Sequence, residues 1–483
     1  MDLLQVIKTS AFHLIPELIL LIGGSLLMCA SLFKQNDAYF DVHRQRTGYA
    51  LLSFGVLFAA IVASLMRGDL AGVTDTWGLF RFDASALAAE RLSFLGGFIL
   101  LLMSWSTAPK HRLPEYYGSL LIVLCAIPII GASNDLVTTF LGLELVSIPT
   151  YVLLGISKTD NTGYESALKY FLLSAFASCF FLLGLSYLFG VSGSTNLTVI
   201  QSDFTFGKRL MALGLILVMC GLAFRITAVP FHFYAPDVFD GTSVTMAGFM
   251  SYLPKVAGFV ALIRIVGGGN LSDGASATVL PVLLVCAGLT MCVGNLMAMG
   301  QNNLRRLLAY SSVAHTGYLL LAVVALLRQD ASANILYSYL AAYAAMTLGM
   351  FACLGEIEAA GGKSHLIGDL AGMFYRRPAA SIGLTVALIS LIGLPLTAGF
   401  WAKFIVFVGV VADRRPDSWS LWMGILMAVN AVVAAGYYYR VLSTLYQKTE
   451  NEIPLRVFRP SLFVAYTICT VLTIVWFFIP AVM

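Results

Sequence analysis

Apolar runs of about 20 residues, the length of helix that crosses a hydrocarbon core of ~30 Å, recur along the whole chain with short polar connections between them. On that rule the pattern predicts fourteen spanning helices, over residues 12–33, 47–66, 86–108, 115–131, 136–156, 165–189, 208–226, 243–266, 278–300, 304–327, 332–354, 379–411, 418–446 and 460–480. No strand is expected, and the spans leave no room for a soluble catalytic domain. The expected fold class is an all-α polytopic membrane protein.

Two positions break this pattern. Pro230 follows the 208–226 run within ITAVPFHFYAPD, and Pro395 lies inside the 379–411 run within IGLPLTAGFWAKF. A helix-interior proline removes a backbone donor and clashes with the preceding turn, so both sites predict interrupted helices. The breaks also belong to an internal repeat. ELVSIPTYVLLG (144–155) aligns with SSVAHTGYLLLA (311–322) at an offset of 167, LKYFLLSAFAS (168–178) aligns with ILYSYLAAYAA (335–345) at the same offset, and Pro230 aligns with Pro395 at 165. Each unit then holds five helices, so successive copies enter the membrane in opposite senses, as in secondary transporters whose ion sites lie beside broken helices. The expected layout is helices 1–3 over residues 1–110, a first inverted repeat over 111–270, a second over 271–446 and a last helix over 447–483.

Composition agrees with the pattern and narrows the chemistry. With 59% hydrophobic residues, 11% charged and a mean hydropathy of +0.86, the chain lies far outside soluble composition. Pro16 and Glu17 open the first span and no small-residue cleavage site follows it, so a retained helix is expected rather than a signal peptide. The net charge of +4 says little. Its distribution says more, because Lys and Arg are denser in the loops that hold Lys110, Arg305 and Arg377, which places both termini on the non-cytoplasmic side. All eight cysteines fall in expected helices without a CxxC pair, the six histidines are scattered, and no Gly-rich phosphate loop follows a strand. No redox centre, metal or nucleotide is therefore expected in this chain.

A charge at the centre of a membrane helix costs about 2.5–3.5 kcal/mol on insertion scales, so each one requires a reason. Glu144 lies mid-span with Ser147 and Tyr151 on its helical face. Lys255 lies deep in FMSYLPKVAGFVALI, and Lys403 stands eight residues past Pro395. Lysine is a compact cation suited to taking up and releasing a proton. Lys169 follows Glu165 by four residues, so an interfacial ion pair competes with a buried role. His232 and His315 are relay candidates, or core hydrogen-bonding groups. Arg225 ends an otherwise uncharged run from Leu210 to Phe224. The simplest common reading is a proton relay in which each site biases the next electrostatically.

These residues also carry a resemblance. PFHFYAPDVFDG, YLPKVAGF, QNNLRRLLAYSSVAHTGY and GLPLTAGFWAKF, in that order, resemble the antiporter-like membrane subunits of respiratory complex I, with YLPKVAGF in its N-type version. A long C-terminal lateral helix, as in the L type, is not expected after the last span. The resemblance implies the channel glutamate at Glu144, the bridging lysine at Lys169, the central lysine at Lys255, the exit-side lysine at Lys403 and the relay histidine at His315. It also implies a bacterial inner membrane location and neighbours such as the M-type and small membrane subunits. NADH, flavin, iron-sulfur clusters and quinone would all be used in other subunits. Two departures stand out: Arg225 occupies a position that is usually lysine, and Tyr234 one that is usually tryptophan. Guanidinium does not release its proton in a protein, so Arg225 cannot hand one on. Subunits of Mrp-type cation/proton antiporters and of membrane-bound hydrogenases share the same pattern, and a solute carrier or a purely structural subunit remain as readings of another class.

Overall fold

A computed structural model describes residues 12–33, 42–67, 73–74, 78–158, 160–202, 207–266, 273–329, 333–359, 361–362, 364–411, 418–448 and 458–479. The chain groups into two compact units, Met1–Ile226 with Leu253–Val279, and Thr227–Tyr252 with Leu280–Met483. The first unit contains α1 (Ile15–Cys29), α2 (Val42–Arg67), α3 (Ala84–Thr107), α4 (Leu113–Ala132), α5 (Leu136–Ser157), α6 (Asn161–Ser192), the short α7 (Leu197–Ser202) and α8 (Lys208–Arg225). The chain continues through α9 (Ala235–Gly241), α10 (Val244–Val266), α11 (Asp273–Met299), α12 (Leu304–Gln329), α13 (Asn334–Ala359), α14 (Met373–Arg376), α15 (Pro378–Ile392), α16 (Ala398–Val411), α17 (Ser418–Leu445) and α18 (Pro460–Phe478). One small antiparallel ribbon, β1 (Val73–Thr74) against β2 (Arg81–Phe82), forms between α2 and α3, where no strand is expected.

Among the described residues twelve helices are long and apolar enough to cross a membrane. Two of the fourteen expected spans differ for a physical reason. α8 is 18 residues long but carries Lys208, Arg209 and Arg225. The 379–411 run is two short helices, α15 and α16, with residues 393–397 between them. There Gly393 adopts φ +90° and ends α15, a left-handed position that only glycine takes up without strain, and Pro395 prevents the helix from resuming at once. The chain leaves α8 at Arg225 without such a glycine, through Ile226 at φ −87°, and stays irregular until Ala235, with Pro230 in between. Both breaks contain a non-glycine residue at positive φ, Thr227 at 59° and Leu396 at 73°, a backbone state that persists only where its surroundings enforce it.

Helix contact in the first unit depends on small residues. α6 packs on α8. A Cβ added at Gly184 of α6 would stand 2.6 Å from the Gly214 carbonyl oxygen and 2.7 Å from the Val218 nitrogen, and one at Gly221 would stand 2.9 Å from the Ala177 carbonyl oxygen. Backbones approach this closely only at small-residue stripes, and the approach fixes the register that brings the end of α8 onto the middle of α6.

The end of this unit at which α3 begins is tied by Arg264 of α10. Its NH1 and NH2 donate to both Asp83 oxygens at 2.8 and 2.6 Å, and its Nε donates to the Gly131 carbonyl at 2.5 Å. Asp83 is also the N-cap of α3, accepting from Ala86 N at 3.0 Å. Burial, the largest single influence, pushes this carboxyl up, but the bonds and charge of Arg264, the Ala86 N–H and Arg81 outweigh it, so the net shift is downward. A depressed carboxylate contributes stability that is present above its unfolded value, 3.8, and is lost as pH falls through the folded value. Asp83→Asn keeps a capping side chain and removes the charge. It is expected to cost about 1–3 kcal/mol at neutral pH, read as a fall in Tm that disappears in strong acid; an unchanged Tm at neutral pH would show the pair to be energetically silent.

Candidate functional site

In the first unit three helices converge on Glu144. α5 starts at the N-cap Asp135, whose side chain accepts from Val137 N and Thr138 N at 2.8 and 3.1 Å, and Glu144 follows more than two turns later. α6 supplies Ser174 and Ser178, one turn apart. α8 ends at Arg225, where a cation complements the helix dipole. Glu144 Oε1 accepts from Arg225 NH2 at 2.7 Å and from Ser178 Oγ at 2.5 Å, while Arg225 NH2 also reaches Ser178 Oγ at 3.1 Å. The Arg225 side chain is 5% exposed and that of Glu144 21%. Tyr151, two turns beyond Glu144 on α5, donates to Ser174 Oγ at 2.7 Å and packs against Tyr170 and Phe171.

α10 meets this group through a glycine. A Cβ at Gly258 would lie 2.6 Å from Ile226 Cγ2 and 3.2 Å from Arg225 Cβ, so α10 lies directly against the end of α8. Lys255, 1% exposed, stands one turn away from that contact. Pro254, inside the helix just before it, supplies no N–H, so the carbonyl of Met250 loses its intrahelical donor beside the lysine. Lys169 is placed elsewhere. It pairs with Glu165 at 2.7 Å on the surface of α6, with the two side chains 41% and 62% exposed, among the exposed apolar side chains Leu168, Leu172 and Phe176. The structure thus brings Glu144 and Arg225 together, sets Lys255 on the adjoining helix and leaves Lys169 on an outer face.

The second unit holds Lys403 and His315. Because Gly393 ends α15, the carbonyls of Leu391 and Ile392 have no intrahelical donor, and Lys403 Nζ donates to them at 2.7 and 2.9 Å. The same ammonium lies 5.0 Å from the centre of the Tyr318 ring, a cation–π distance. Among the described residues Lys403 has no ion pair with a carboxylate; a half-helix C-terminus and an aromatic face hold it instead. Tyr318 continues the polar line. Asn295 Nδ2 reaches Tyr318 Oη at 3.4 Å and Asn430 Oδ1 at 3.0 Å, and Tyr437 Oη donates to Asn295 Oδ1 at 3.1 Å. His315, 1% exposed, shares a hydrogen bond with Tyr339 Oη at 3.0 Å through Nδ1 and touches the rings of Tyr318 and Tyr343. Ser312 accepts from Tyr343 Oη at 2.9 Å, and Ser311 shares a 2.5 Å bond with Tyr438 Oη. His232 is buried and its Nδ1 has no hydrogen-bond partner among the described residues.

Sequence reasoning missed Ser178, Gly258, Asn295, Asn430 and Tyr437. A four-residue serine spacing in apolar α6 was the available signal for Ser178. The two asparagines stand out only as uncharged polar residues inside apolar runs.

A model of the NADH:quinone oxidoreductase/Mrp antiporter transmembrane family matches residues 133–448. A relative from Solibacter usitatus named NADH-quinone oxidoreductase subunit N 1 is 34% identical over 447 residues, spanning 92% of this chain and 88% of that protein. A chain of respiratory complex I from Thermus thermophilus, solved with bound aureothin, superposes with a TM-score of 0.79 at 28% identity, covering 96% of this chain and 97% of that one. A chain of the Mrp complex from a Dietzia species shares the fold, with a TM-score of 0.81 at 18% identity, covering 100% of this chain and 96% of that chain. By the matched family model and by identity along most of its length, this chain belongs to the NADH:quinone oxidoreductase/Mrp antiporter family of polytopic membrane subunits.

Proposed function

We propose that the chain is an N-type proton-translocating membrane subunit of a bacterial NADH:quinone oxidoreductase, in which a relay of buried charges moves protons while quinone is reduced elsewhere in the complex. The observation that carries this reading is the Glu144–Ser178–Arg225 cluster with the helix of Lys255 pressed against it at Gly258. Such a group has one carboxylate, one permanent cation and one titratable lysine within the same few turns, and low-dielectric surroundings couple their charges strongly. In the second unit Lys403 is the titratable cation. Its ammonium faces the ring of Tyr318, which is hydrogen-bonded to Asn295, and Asn295 in turn to Asn430 and Tyr437, groups that can both donate and accept. His315 with Tyr339 forms a second such pair.

Lys169, on the outer face of α6, suits the bridging role toward a neighbouring subunit; M-type and small membrane subunits are the partners this reading assigns. The broken helices at Pro230 and Pro395 are read as equivalent elements of two inverted five-helix repeats, 111–270 and 271–446, flanked by helices 1–3 and the last helix. Both termini lie on the non-cytoplasmic side of the inner membrane. NADH, flavin, iron-sulfur clusters and quinone belong to other subunits, and this chain works as a non-redox part of the enzyme. The Mrp-type reading shares the matched family model and has a structure 18% identical, whereas relatives named subunit N reach 34% identity.

The test is the affinity-tagged chain, isolated from its own membranes in mild detergent and then reconstituted in liposomes. The expected result is copurification of a flavin and iron-sulfur assembly whose NADH oxidation by quinone drives proton uptake. Cation/proton exchange without NADH oxidation would overturn the assignment in favour of the Mrp-type reading.

A further inference from the structure

A second buried charge group lies in α1–α3, N-terminal to the segment matched by the family model, and the relay does not use it. Glu17 sits in the first turn of α1, Arg67 is the last residue of α2, and Glu90 lies in the second turn of α3. Glu17 and Glu90 are 3% and 1% exposed, and the Arg67 side chain 2%. Arg67 NH2 is hydrogen-bonded to Glu90 Oε2, and NH1 donates to the His13 carbonyl at 2.5 Å. Glu17 Oε2 lies 3.9 Å from Arg67 NH1, beyond hydrogen-bonding range. That oxygen, Glu90 Oε1 and Arg67 Nε are all buried without a hydrogen-bond partner among the described residues.

The charge count does not close. With both carboxyls ionised, two negative charges face one guanidinium in a place water does not reach, which leaves a net −1 in low dielectric at a cost of several kcal/mol. Among the described residues no other cation facing the group supplies the balance. From the segment before α1 comes His13, whose ring lies on Phe82 with centroids 5.0 Å apart; its burial, then the Arg67 charge, lower its affinity for a proton. α4, packed against α1, contributes the buried thiol of Cys125. Asp83, at the start of α3, is committed to Arg264.

We propose that this group is a proton-binding site: one proton, taken up as a carboxylate becomes a carboxylic acid, resides on the Glu17/Glu90 pair while Arg67 holds the remaining charge. Two carboxyls that compete for one counter-charge share a proton as acid pairs do elsewhere, and the unpartnered Glu17 Oε2 is where an O–H fits without displacing an existing bond. Loading and emptying the site moves the local charge between 0 and −1, separately from Glu144 and the lysines.

Infrared spectroscopy of the intact complex in lipid, compared in H2O and D2O, tests this directly. The wild type is expected to show a protonated-carboxyl C=O band that shifts in D2O, and this band should be lost from Glu17→Gln or from Glu90→Gln. The amide imitates a protonated carboxyl, so at least one of these two variants should assemble at wild-type level, whereas Arg67→Gln, with two acids and no cation, should not. A band that survives in both glutamine variants would overturn the proposal. Failure of both variants to assemble would overturn it as well, because a site that holds one proton must accept the amide at one of its two positions.

Discussion

Lys255→Met is expected to leave the complex assembled and to lower proton translocation at least ~10-fold, the scale on which a positioned acid-base group acts, with quinone reduction falling less, so that the proton-to-electron ratio drops. The argument starts from burial. Lys255 is 1% exposed on α10, whose membrane-spanning window is buried along its whole length, and the helix is pressed onto α8 at Gly258. Methionine keeps most of the volume and the unbranched shape, so it leaves little cavity, and exchanging a buried charge for an apolar group of similar size is often neutral or stabilising. Assembly and transport are therefore predicted to separate. If the lysine is instead interhelical glue, Met should reduce the amount of assembled complex and leave the proton-to-electron ratio of what remains unchanged. Lys255→Arg gives an independent check, because it preserves the charge but cannot release its proton. It is expected to assemble and still fail to pump, measured as the proton-to-electron ratio in membrane vesicles. Wild-type ratios in both variants would remove Lys255 from the relay.

Much of the architecture was legible because membrane helices have one dominant requirement, a run of apolar residues long enough to cross, and the chain states it repeatedly. Pro230 and Pro395 marked the breaks, although a missing backbone N–H does not decide a break alone, since Pro128, Pro149 and Pro254 lie inside continuous helices. The partner of a buried charge is not local information. Glu144 was visible as an expensive residue, but Ser178 became its partner only through the packing of α5 on α6, and Arg225 joined them through the register of α6 on α8, which Gly184, Gly214 and Gly221 determine by permitting close approach. Asn295 and Asn430, far apart in the chain, meet at 3.0 Å through tertiary packing alone. Lys169 shows the same limit from the other side: the spacing to Glu165 allowed a surface pair as readily as a buried cation, and only the packing of α6 places both side chains outside. The Glu17–Arg67–Glu90 group was hidden for a third reason. Each residue sits close to a helix end, where a charge ordinarily reaches solvent, and nothing in a linear pattern says that three such ends will bury one another.

Arg225→Ala is expected to be the most damaging single change at the Glu144 site, and Arg225→Lys the mild one. Arg225 is 5% exposed and donates to Glu144 Oε1 at 2.7 Å and to Ser178 Oγ at 3.1 Å. Alanine removes the cation and leaves the carboxylate with a serine hydroxyl alone, at a cost on the order of 3 kcal/mol when one partner of a buried pair is lost. The 21% exposure of the Glu144 side chain keeps that cost near the low end. Lysine restores the charge as a single point donor without the guanidinium fork, and should retain most of the assembly and transport. Because guanidinium does not give up its proton, whatever Arg225 does for transport it does as a fixed charge that biases Glu144 and, across the Gly258 contact, Lys255. The double variant Arg225→Ala/Glu144→Gln separates stability from function. Removing both charges should return assembly toward the wild-type level, since no buried ion is left uncompensated, while proton translocation stays absent because the carboxyl is gone. Equal pumping by Arg225→Ala and the wild type would reduce Arg225 to packing, and a double variant no better assembled than Arg225→Ala would show that the guanidinium stabilises the end of α8 by contacts other than its pair with Glu144.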